Sequence, residues 1–184
     1  MKVLGIDPGL GTTGYAVIER VDGKIRLLEA GVIRGKSKKT LPERIHEIYI
    51  GLEEIVNQFK PDVMGLEDLY SFYKRPRTAI LMGHARGAII LAAANAGIPV
   101  HSFSATRIKK VVTGNGQASK AQMQRAIMHE FNLSEIPKPP DVADALGIAL
   151  TCLYLNKANS PKLKDILNNI GNRNQGNDQA SDLN

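Results

Sequence analysis

The chain has 184 residues, a net charge of +6 and one cysteine. This length fits one domain with a tail, and 43% hydrophobic but only 5% aromatic residues favour an aliphatic α/β interior. The charge favours an anionic partner such as nucleic acid, although it also serves plain solubility. Cys152 alone excludes an internal disulfide, and the longest apolar run, residues 88–100, is too short to span a bilayer. No secretory signal follows Met1, so we expect a cytoplasmic protein.

The first residues predict three antiparallel strands joined by short turns. An apolar run over residues 2–7 predicts a buried strand, and a glycine-rich turn leads into a second strand at residues 15–18. The sequence Val21-Asp22-Gly23-Lys24 predicts a hairpin turn into a third strand over residues 25–33.

The rest of the chain alternates helices and strands. Apolar residues with helical spacing predict an amphipathic helix over residues 41–59, followed by a buried strand over residues 62–67. A helical crossover of this kind makes the pairing of the first and fourth strands parallel. The remaining predicted elements are a helix at 78–96, a strand at 98–103, and helices at 105–112, 120–131 and 140 to about 156.

These elements predict an α/β fold with a mixed central sheet, an antiparallel three-strand meander plus parallel strands, flanked by helices. We assign residues 1–157 to this domain. Residues 158–184 are polar and rich in asparagine, which predicts a flexible C-terminal tail.

Two acidic residues end predicted strands. Asp7 and Glu67 each close an apolar run, and the ligands of open α/β sheets gather at the carboxyl ends of strands. A charge at the end of a buried strand is costly unless it is paired or bound to a metal. Two alternatives stay open: Asp7 suits a turn before Pro8-Gly9, and Asp68 competes with Glu67, although strand neighbours point to opposite faces.

Asp141 and Asp144 begin the last predicted helix, just after Pro139-Pro140. The helix dipole alone favours acids in a first turn. However, positions three apart face the same way, and apolar residues follow Asp144, so a bound cation explains the pair better than capping does. Together the four acids predict an all-oxygen site for Mg²⁺ or Mn²⁺ and chemistry on phosphate.

Three basic clusters are candidates for contacts with a phosphate backbone, with a solvated face as the alternative for each. They are Lys36, Lys38 and Lys39; Lys74, Arg75 and Arg77; and Arg107, Lys109 and Lys110. Lys120 follows a glycine-rich loop and is a further candidate, or a solvated lysine at a helix start. Tyr70, Phe72 and Tyr73 precede the second cluster and are candidates for stacking on unpaired bases, or for packing the loop.

Three motifs resemble those of RuvC-type Holliday-junction resolvases in order and spacing. They are Leu4-Gly5-Ile6-Asp7-Pro8-Gly9 with Thr13-Gly14-Tyr15, Gly83-His84-Ala85-Arg86-Gly87, and Asp141-Val142-Ala143-Asp144-Ala145-Leu146. The resemblance covers roughly residues 1–156 and implies a ribonuclease H-like fold. It implies that Asp7, Glu67, Asp141 and Asp144 form the family's acidic tetrad, which holds two Mg²⁺ ions per subunit, with Mn²⁺ as a substitute. Some members of the family have histidine at the position of Asp141.

The resemblance also implies an activity and partners. The expected enzyme is a metal-dependent endodeoxyribonuclease that resolves four-way DNA junctions by paired symmetric nicks during homologous recombination and DNA repair. The expected partners are a second copy of the chain and a branch-migration helicase complex of the RuvA and RuvB type. The family's junction-stacking aromatic has Tyr70 and Phe72 as its candidates here, because the stretch after Glu67 departs from better-known members.

The expected chemistry is metal-ion hydrolysis of a phosphodiester. Two ions about 4 Å apart activate a water and stabilise the transition state and the leaving oxygen. We expect Asp7 to bridge them, Glu67 to hold one, and Asp141 and Asp144 to complete the other. Gly83 and Gly87 in the long helix permit close packing; the pattern alone favours the core, and the resemblance favours a dimer interface.

Three rival functions follow from the same features. A sugar-kinase or actin-like ATPase also begins with a glycine-rich turn, but it requires a second phosphate motif and a second domain. A smaller ribonuclease H-like nuclease acting on RNA would differ in substrate. A DNA-structure-binding module without catalysis conflicts with four acids directed at DNA, because they repel the ligand unless metals neutralise them.

Overall fold

The computed structural model describes residues 1–35, 39–69 and 76–156. Met1–Cys152 forms one compact unit, and the second unit, Leu153–Asn184, is described only as far as residue 156. The predicted tail at 158–184 therefore lies outside the described residues, and its flexibility stays a prediction. Within the described residues, no helix is long and apolar enough to cross a membrane.

Five strands and five helices make up the described part of the chain. The strands are β1 (Lys2–Asp7), β2 (Thr12–Val21), β3 (Lys24–Arg34), β4 (Val63–Glu67) and β5 (Val100–Phe103). The helices are α1 (Leu41–Phe59), α2 (Pro76–Asn95), α3 (Ala105–Thr113), α4 (Lys120–Glu130) and α5 (Pro140–Leu155). Every predicted element is present, with ends that differ by at most three residues.

The strands form one mixed sheet in the order β3-β2-β1-β4-β5. β2 runs antiparallel to β1 and β3, whereas β4 runs parallel to β1 and β5 runs parallel to β4. The predicted meander and the predicted parallel crossover are both confirmed. Asp22 and Gly23 have φ values of 49° and 78°, so the hairpin turn uses the left-handed conformations that a two-residue loop requires.

Helices cover both faces of the sheet. Because side chains alternate along a strand, Leu4, Ile6, Met64 and Leu66 point to one face, where they pack against α1 and α2. Gly5 and Gly65 point to the other face, which α5 covers. They are direct neighbours across β1 and β4.

α5 lies close against this second face because glycines line it. A Cβ on Gly5 would stand 2.3 Å from the carbonyl oxygen of Ala145, and one on Gly65 would stand 2.9 Å from the Cβ of Cys152. On Gly14 of β2 it would stand 2.2 Å from the carbonyl oxygen of Asp141. The missing side chains let the first turns of α5 reach the ends of β1 and β2.

The prediction from pattern that Gly83 and Gly87 pack within the core is wrong. A Cβ at either position would meet nothing within 4 Å among the described residues. Both glycines lie on the outer side of α2, where Ile80 and Leu91 are 62% and 54% exposed. The inner side of the helix is filled by alanine and isoleucine, namely Ala85, Ala88, Ile89, Ala92 and Ala93.

Substitution tests the close approach of α5. Gly5→Ala is expected to lower the free energy of unfolding by about 1–3 kcal/mol, because its Cβ meets backbone atoms of α5 that cannot rotate away. Gly51→Ala in α1 is the matched control: its Cβ meets only the side chain of Ile33, which can shift, and alanine favours a helix. Urea unfolding followed by circular dichroism measures both. Equal stability of the two variants would contradict a helix held at this distance.

Candidate active site

The sheet and α5 bring the four predicted acids to one edge of the fold. Asp7 and Glu67 end the neighbouring parallel strands β1 and β4, and alternation places both on the face that carries Gly5 and Gly65. Asp141 lies in the first turn of α5, and Asp144 follows three residues later on the same side. The charges of Glu67, Asp144 and Asp141 all act on Asp7, so the four form one electrostatic cluster.

A buried threonine fixes the turn that follows Asp7. Thr13 is fully buried, and its hydroxyl donates a hydrogen bond to the carbonyl oxygen of Gly9 at 2.7 Å. The amide of Gly9 donates to the same Oγ1 at 3.4 Å. A Cβ on Gly9 would stand 2.2 Å from the carbonyl oxygen of Thr12, so the turn requires glycine at that position. The end of β1, and with it Asp7, is thereby held by the turn.

Crowding of the acids raises their proton affinity. Burial, followed by the charges of Glu67, Asp144 and Asp141, raises the pKa of Asp7 to about 8. Burial and the charge of Asp144 also raise the pKa of Glu67. Hydrogen bonding between the two strand-end carboxyls further raises the pKa of Asp7 and acts against the rise in the pKa of Glu67.

The chemistry of the donors fits a hard cation. A cluster of four acidic side chains, in which the pKa values of Asp7 and Glu67 are raised, is a donor set that a hard divalent cation would stabilise. In the described parts of the chain, no three His, Cys, Asp or Glu side chains converge closely enough to hold a metal ion. Lys120, which contacts Asp144, offsets part of the repulsion among the acids.

A cleft of about 210 Å³ adjoins the cluster. Glu67 and Asp144 line one part of it, and Lys109 of α3 and Lys120 of α4 line another. Lys120 donates from Nζ to Oδ2 of Asp144 at 3.3 Å, with the two side chains 59% and 32% exposed. The positive charge of Lys109 acts against the rise in the pKa of Glu67. The cleft therefore offers acceptors for a cation beside donors for an anion.

Among the described residues, the others that were predicted to contact DNA do not line this cleft. Arg77 in the first turn of α2 and Lys110 on α3 are exposed, and Lys39 pairs with Glu47 at 2.5 Å. Four further candidates, Tyr70, Phe72, Lys74 and Arg75, lie outside the described residues, as do Tyr73, Lys36 and Lys38.

Sequence reasoning gave no role to Arg86. Its guanidinium donates to Oδ1 of Asp68 at 3.3 Å, and to the backbone oxygen of Glu67. Asp68 therefore contacts α2, whereas Glu67 lies beside Asp7 and Asp144. The sequence did contain a signal for such contacts. Arg86 lies in a largely apolar stretch of helix, and a charged side chain there is costly unless it has hydrogen-bond acceptors.

Comparison with solved structures defines the class of protein. Over 84% of this chain, the fold matches 94% of a Thermus thermophilus RuvC structure, with a TM-score of 0.76 and 32% identity. A Thermus thermophilus RuvC in complex with Holliday junction substrate matches with a TM-score of 0.78, 33% identity and coverage of 84% and 93%. The yeast mitochondrial Holliday junction resolvase Ydc2, 19% identical with a TM-score of 0.58, shares the fold. The expected ribonuclease H-like fold is confirmed.

Sequence comparison gives the family. The sequence model of the protein family described as crossover junction endodeoxyribonuclease RuvC matches residues 3–152. A protein of that name from Rhodopirellula baltica is 57% identical over 86% of this chain and 88% of its own length. One from Chloroflexus aggregans is 42% identical over 84% and 93%. The chain therefore belongs to the crossover junction endodeoxyribonuclease RuvC family, and the expected class of activity, that of an endodeoxyribonuclease, is confirmed.

The raised pKa of Asp7 predicts how stability depends on pH when divalent ions are removed. With a folded pKa of about 8 and an ordinary value of 3.8, Asp7 keeps a proton on folding that the unfolded chain has lost. Its contribution to stability is thus fully present below pH 3.8 and is lost as pH rises through about 8. Asp7→Asn removes this dependence and, at pH 9, should be more stable than the wild type by about 1–3 kcal/mol.

Urea unfolding in EDTA at pH 5, 7 and 9 measures this effect. Glu54→Gln, which neutralises an exposed acid on α1, is the control and should follow the wild type at each pH. A stability difference between Asp7→Asn and the wild type that does not change with pH would show that Asp7 is not the titrating group.

Proposed function

We propose that this chain cuts four-way DNA junctions by paired symmetric nicks, in homologous recombination and DNA repair. The observation that carries the proposal is a cluster of four carboxylates beside a cleft lined by Lys109 and Lys120. Membership of the family supports the reaction, and a relative seen with Holliday junction substrate supports the choice of DNA. A noncatalytic binding module has no use for this cluster, because bare carboxylates repel DNA.

The proposed cofactor is Mg²⁺, with two ions per subunit and Mn²⁺ as a substitute. Asp7, Glu67, Asp141 and Asp144 would hold the ions, and Asp7 is the proposed shared ligand because the charges of the other three all act on it. When bound, such ions supply an activated water and stabilise negative charge on the phosphate. Asp7, whose pKa is raised to about 8, must lose its proton to act as a ligand.

The lysines of the cleft have a separate role in this proposal. Lys120 is largely exposed while paired with Asp144, so its ammonium group is free to take a DNA phosphate once a cation neutralises that carboxylate. Lys109 stands near Glu67 and offers a second positive charge for the same phosphate backbone. Lys110 and Arg77 would contact other phosphates of the same DNA. Tyr70, Phe72, Lys74 and Arg75 complete the proposed DNA surface, with one aromatic stacking on unpaired bases.

A homodimer is part of the proposal, because a four-way junction presents two symmetric strands to cut. The outer side of α2 supports this arrangement: Ile80, Gly83, Gly87 and Leu91 recur at helical spacing and leave an open apolar stripe. An apolar groove of about 600 Å³ runs beside this stripe, between α1 and α2. A second copy of the chain would bury both.

A protein partner and a location also belong to this proposal. A branch-migration helicase complex of the RuvA and RuvB type is the partner that the resemblance implies, because a resolvase acts on a junction that is being moved. A cytoplasmic location is the last part of the proposal.

A cleavage assay tests the proposed function. Wild-type protein is expected to nick a labelled mobile junction in Mg²⁺ but not in EDTA. Asp7→Asn should abolish cutting and leave junction binding within a few-fold, because asparagine keeps the shape but loses the charge that holds cations. Glu54→Gln should cut normally. A junction left intact by the wild type in Mg²⁺, or Asp7→Asn retaining about a tenth of the rate or more, would contradict the proposal.

The open side of α2 gives a second test. Leu91→Lys should shift the protein from dimer to monomer in sedimentation analysis, because a charge in a buried apolar contact is costly. Leu28→Lys, at an exposed leucine on β3, is the matched control and should leave the oligomeric state unchanged. An undisturbed dimer in Leu91→Lys would place the interface elsewhere.

A further inference from the structure

Arg86 is the only charged side chain of α2 besides Arg77 in its first turn. It points inward to the sheet, with its side chain only 16% exposed. A largely buried guanidinium is costly unless acceptors surround it. The hydrogen-bond acceptors of Arg86 therefore explain how an arginine is tolerated in this apolar helix.

The acceptors surround the carboxyl end of β4. Nη1 donates to the backbone oxygen of Glu67, while Nη2 donates to Oγ of Ser102 on β5 at 2.5 Å and to Oδ1 of Asp68 at 3.3 Å. Asp68 is exposed, so its charge is screened and the pair contributes little. The contact with the backbone oxygen of Glu67 is partly buried and is the firmest of the three.

The pairing of β4 with its two neighbours stops at the carboxyl end of the strand. Glu67 is the last residue of the strand and pairs with Phe103 of β5; one further bond runs from the amide of Asp68 to the oxygen of Phe103 at 2.9 Å. The β4–β1 pairing ends one residue earlier, at Leu66. Glu67 thus follows the last pairing with β1, and its backbone oxygen is held by Arg86 from α2.

We propose that Arg86 is a positioning residue for Glu67. Holding the backbone oxygen from the α2 face directs the carboxylate of Glu67 to the opposite face, where Asp7 and Asp144 lie. This rests on the proposed function, in which Glu67 holds a cation. Arg86 itself touches neither substrate nor ion; it acts through Glu67.

The geometry of arginine suits this role better than that of lysine. The planar guanidinium reaches the Glu67 oxygen with one nitrogen and Ser102 with another, whereas an ammonium is a point charge without that fixed fork. Arg86→Lys is therefore expected to restore only part of the effect, and Arg86→Gln to remove most of it.

Three measurements on the full-length protein test the proposal. Arg86→Gln should lower the single-turnover cleavage rate at saturating protein by about 10- to 100-fold, since small misplacements of a catalytic group have effects of this size. Its junction affinity, measured in EDTA, should stay within about threefold, because phosphate contacts supply that affinity. Mn²⁺ binding without DNA, followed by electron paramagnetic resonance, should weaken, and Arg86→Lys should be intermediate in rate and Mn²⁺ binding.

Asn95→Ala is the matched control. Asn95 donates from Nδ2 to the hydroxyl of Tyr49 at 3.1 Å, which ties the other end of α2 to α1. Loss of this bond should change neither the cleavage rate nor Mn²⁺ binding. If Arg86→Gln fails to fold, Ser102→Ala, which removes one acceptor of Arg86, should lower the rate by a smaller factor and weaken Mn²⁺ binding.

The outcomes separate the two proposals. Wild-type rate and Mn²⁺ binding in Arg86→Gln, or in Ser102→Ala where that variant replaces it, would overturn the positioning role. An equal loss in Asn95→Ala, or a loss of junction affinity as large as the loss of rate, would also overturn it. A wild type that binds Mn²⁺ but cuts no junction would instead contradict the proposed function, while the Mn²⁺ measurement still tests Arg86.

Discussion

The site depends on how closely α5 approaches the sheet. Gly5 and Gly65 lie side by side beneath the helix, and a Cβ on Gly5 would stand 2.3 Å from a carbonyl oxygen of α5. Any larger residue would push the helix outward. Asp144 lies on that helix whereas Asp7 and Glu67 lie on the strands, so the separation between the layers sets the separation between the carboxylates. Packing at the centre of the domain thus determines the geometry at its edge.

Bringing like charges together has an electrostatic cost that the fold accommodates. Burial and three neighbouring carboxylates raise the pKa of Asp7 to about 8, and Lys120 and Lys109 stand close enough to offset part of the repulsion. A protein selected only for stability has no reason to keep this arrangement. In the proposed function this repulsion would favour binding of a divalent cation, because the cation offsets the charges of the neighbouring carboxylates.

The spacing of apolar residues predicted the helices and strands well, because burial of one face imposes that spacing. The helix over residues 41–59 was predicted with the bounds it has, and Asp68 contacts α2 while Glu67 lies beside Asp7, as alternation of neighbours predicted. The second strand was predicted too short, because the pairing of Thr12 with Arg34 depends on a neighbour and not on local pattern. Pattern alone favoured core packing for Gly83 and Gly87, because a small-residue stripe looks alike in a core and on an open face. The roles of the acids, expected from family resemblance, stay proposals.

The contacts of Arg86 show what a single sequence cannot supply. Its acceptors come from β4, β5 and the residue after β4, and only the sheet order places them around one point. Two helices then act on the end of β4 from opposite faces: α5 presents Asp144 to Glu67, and α2 holds the backbone of Glu67 through Arg86. Gly87, the residue after Arg86, lies on the open side of α2. One helix therefore carries both the contact with the proposed metal ligand and the surface proposed for a second copy, so any shift of α2 on association acts directly on Glu67.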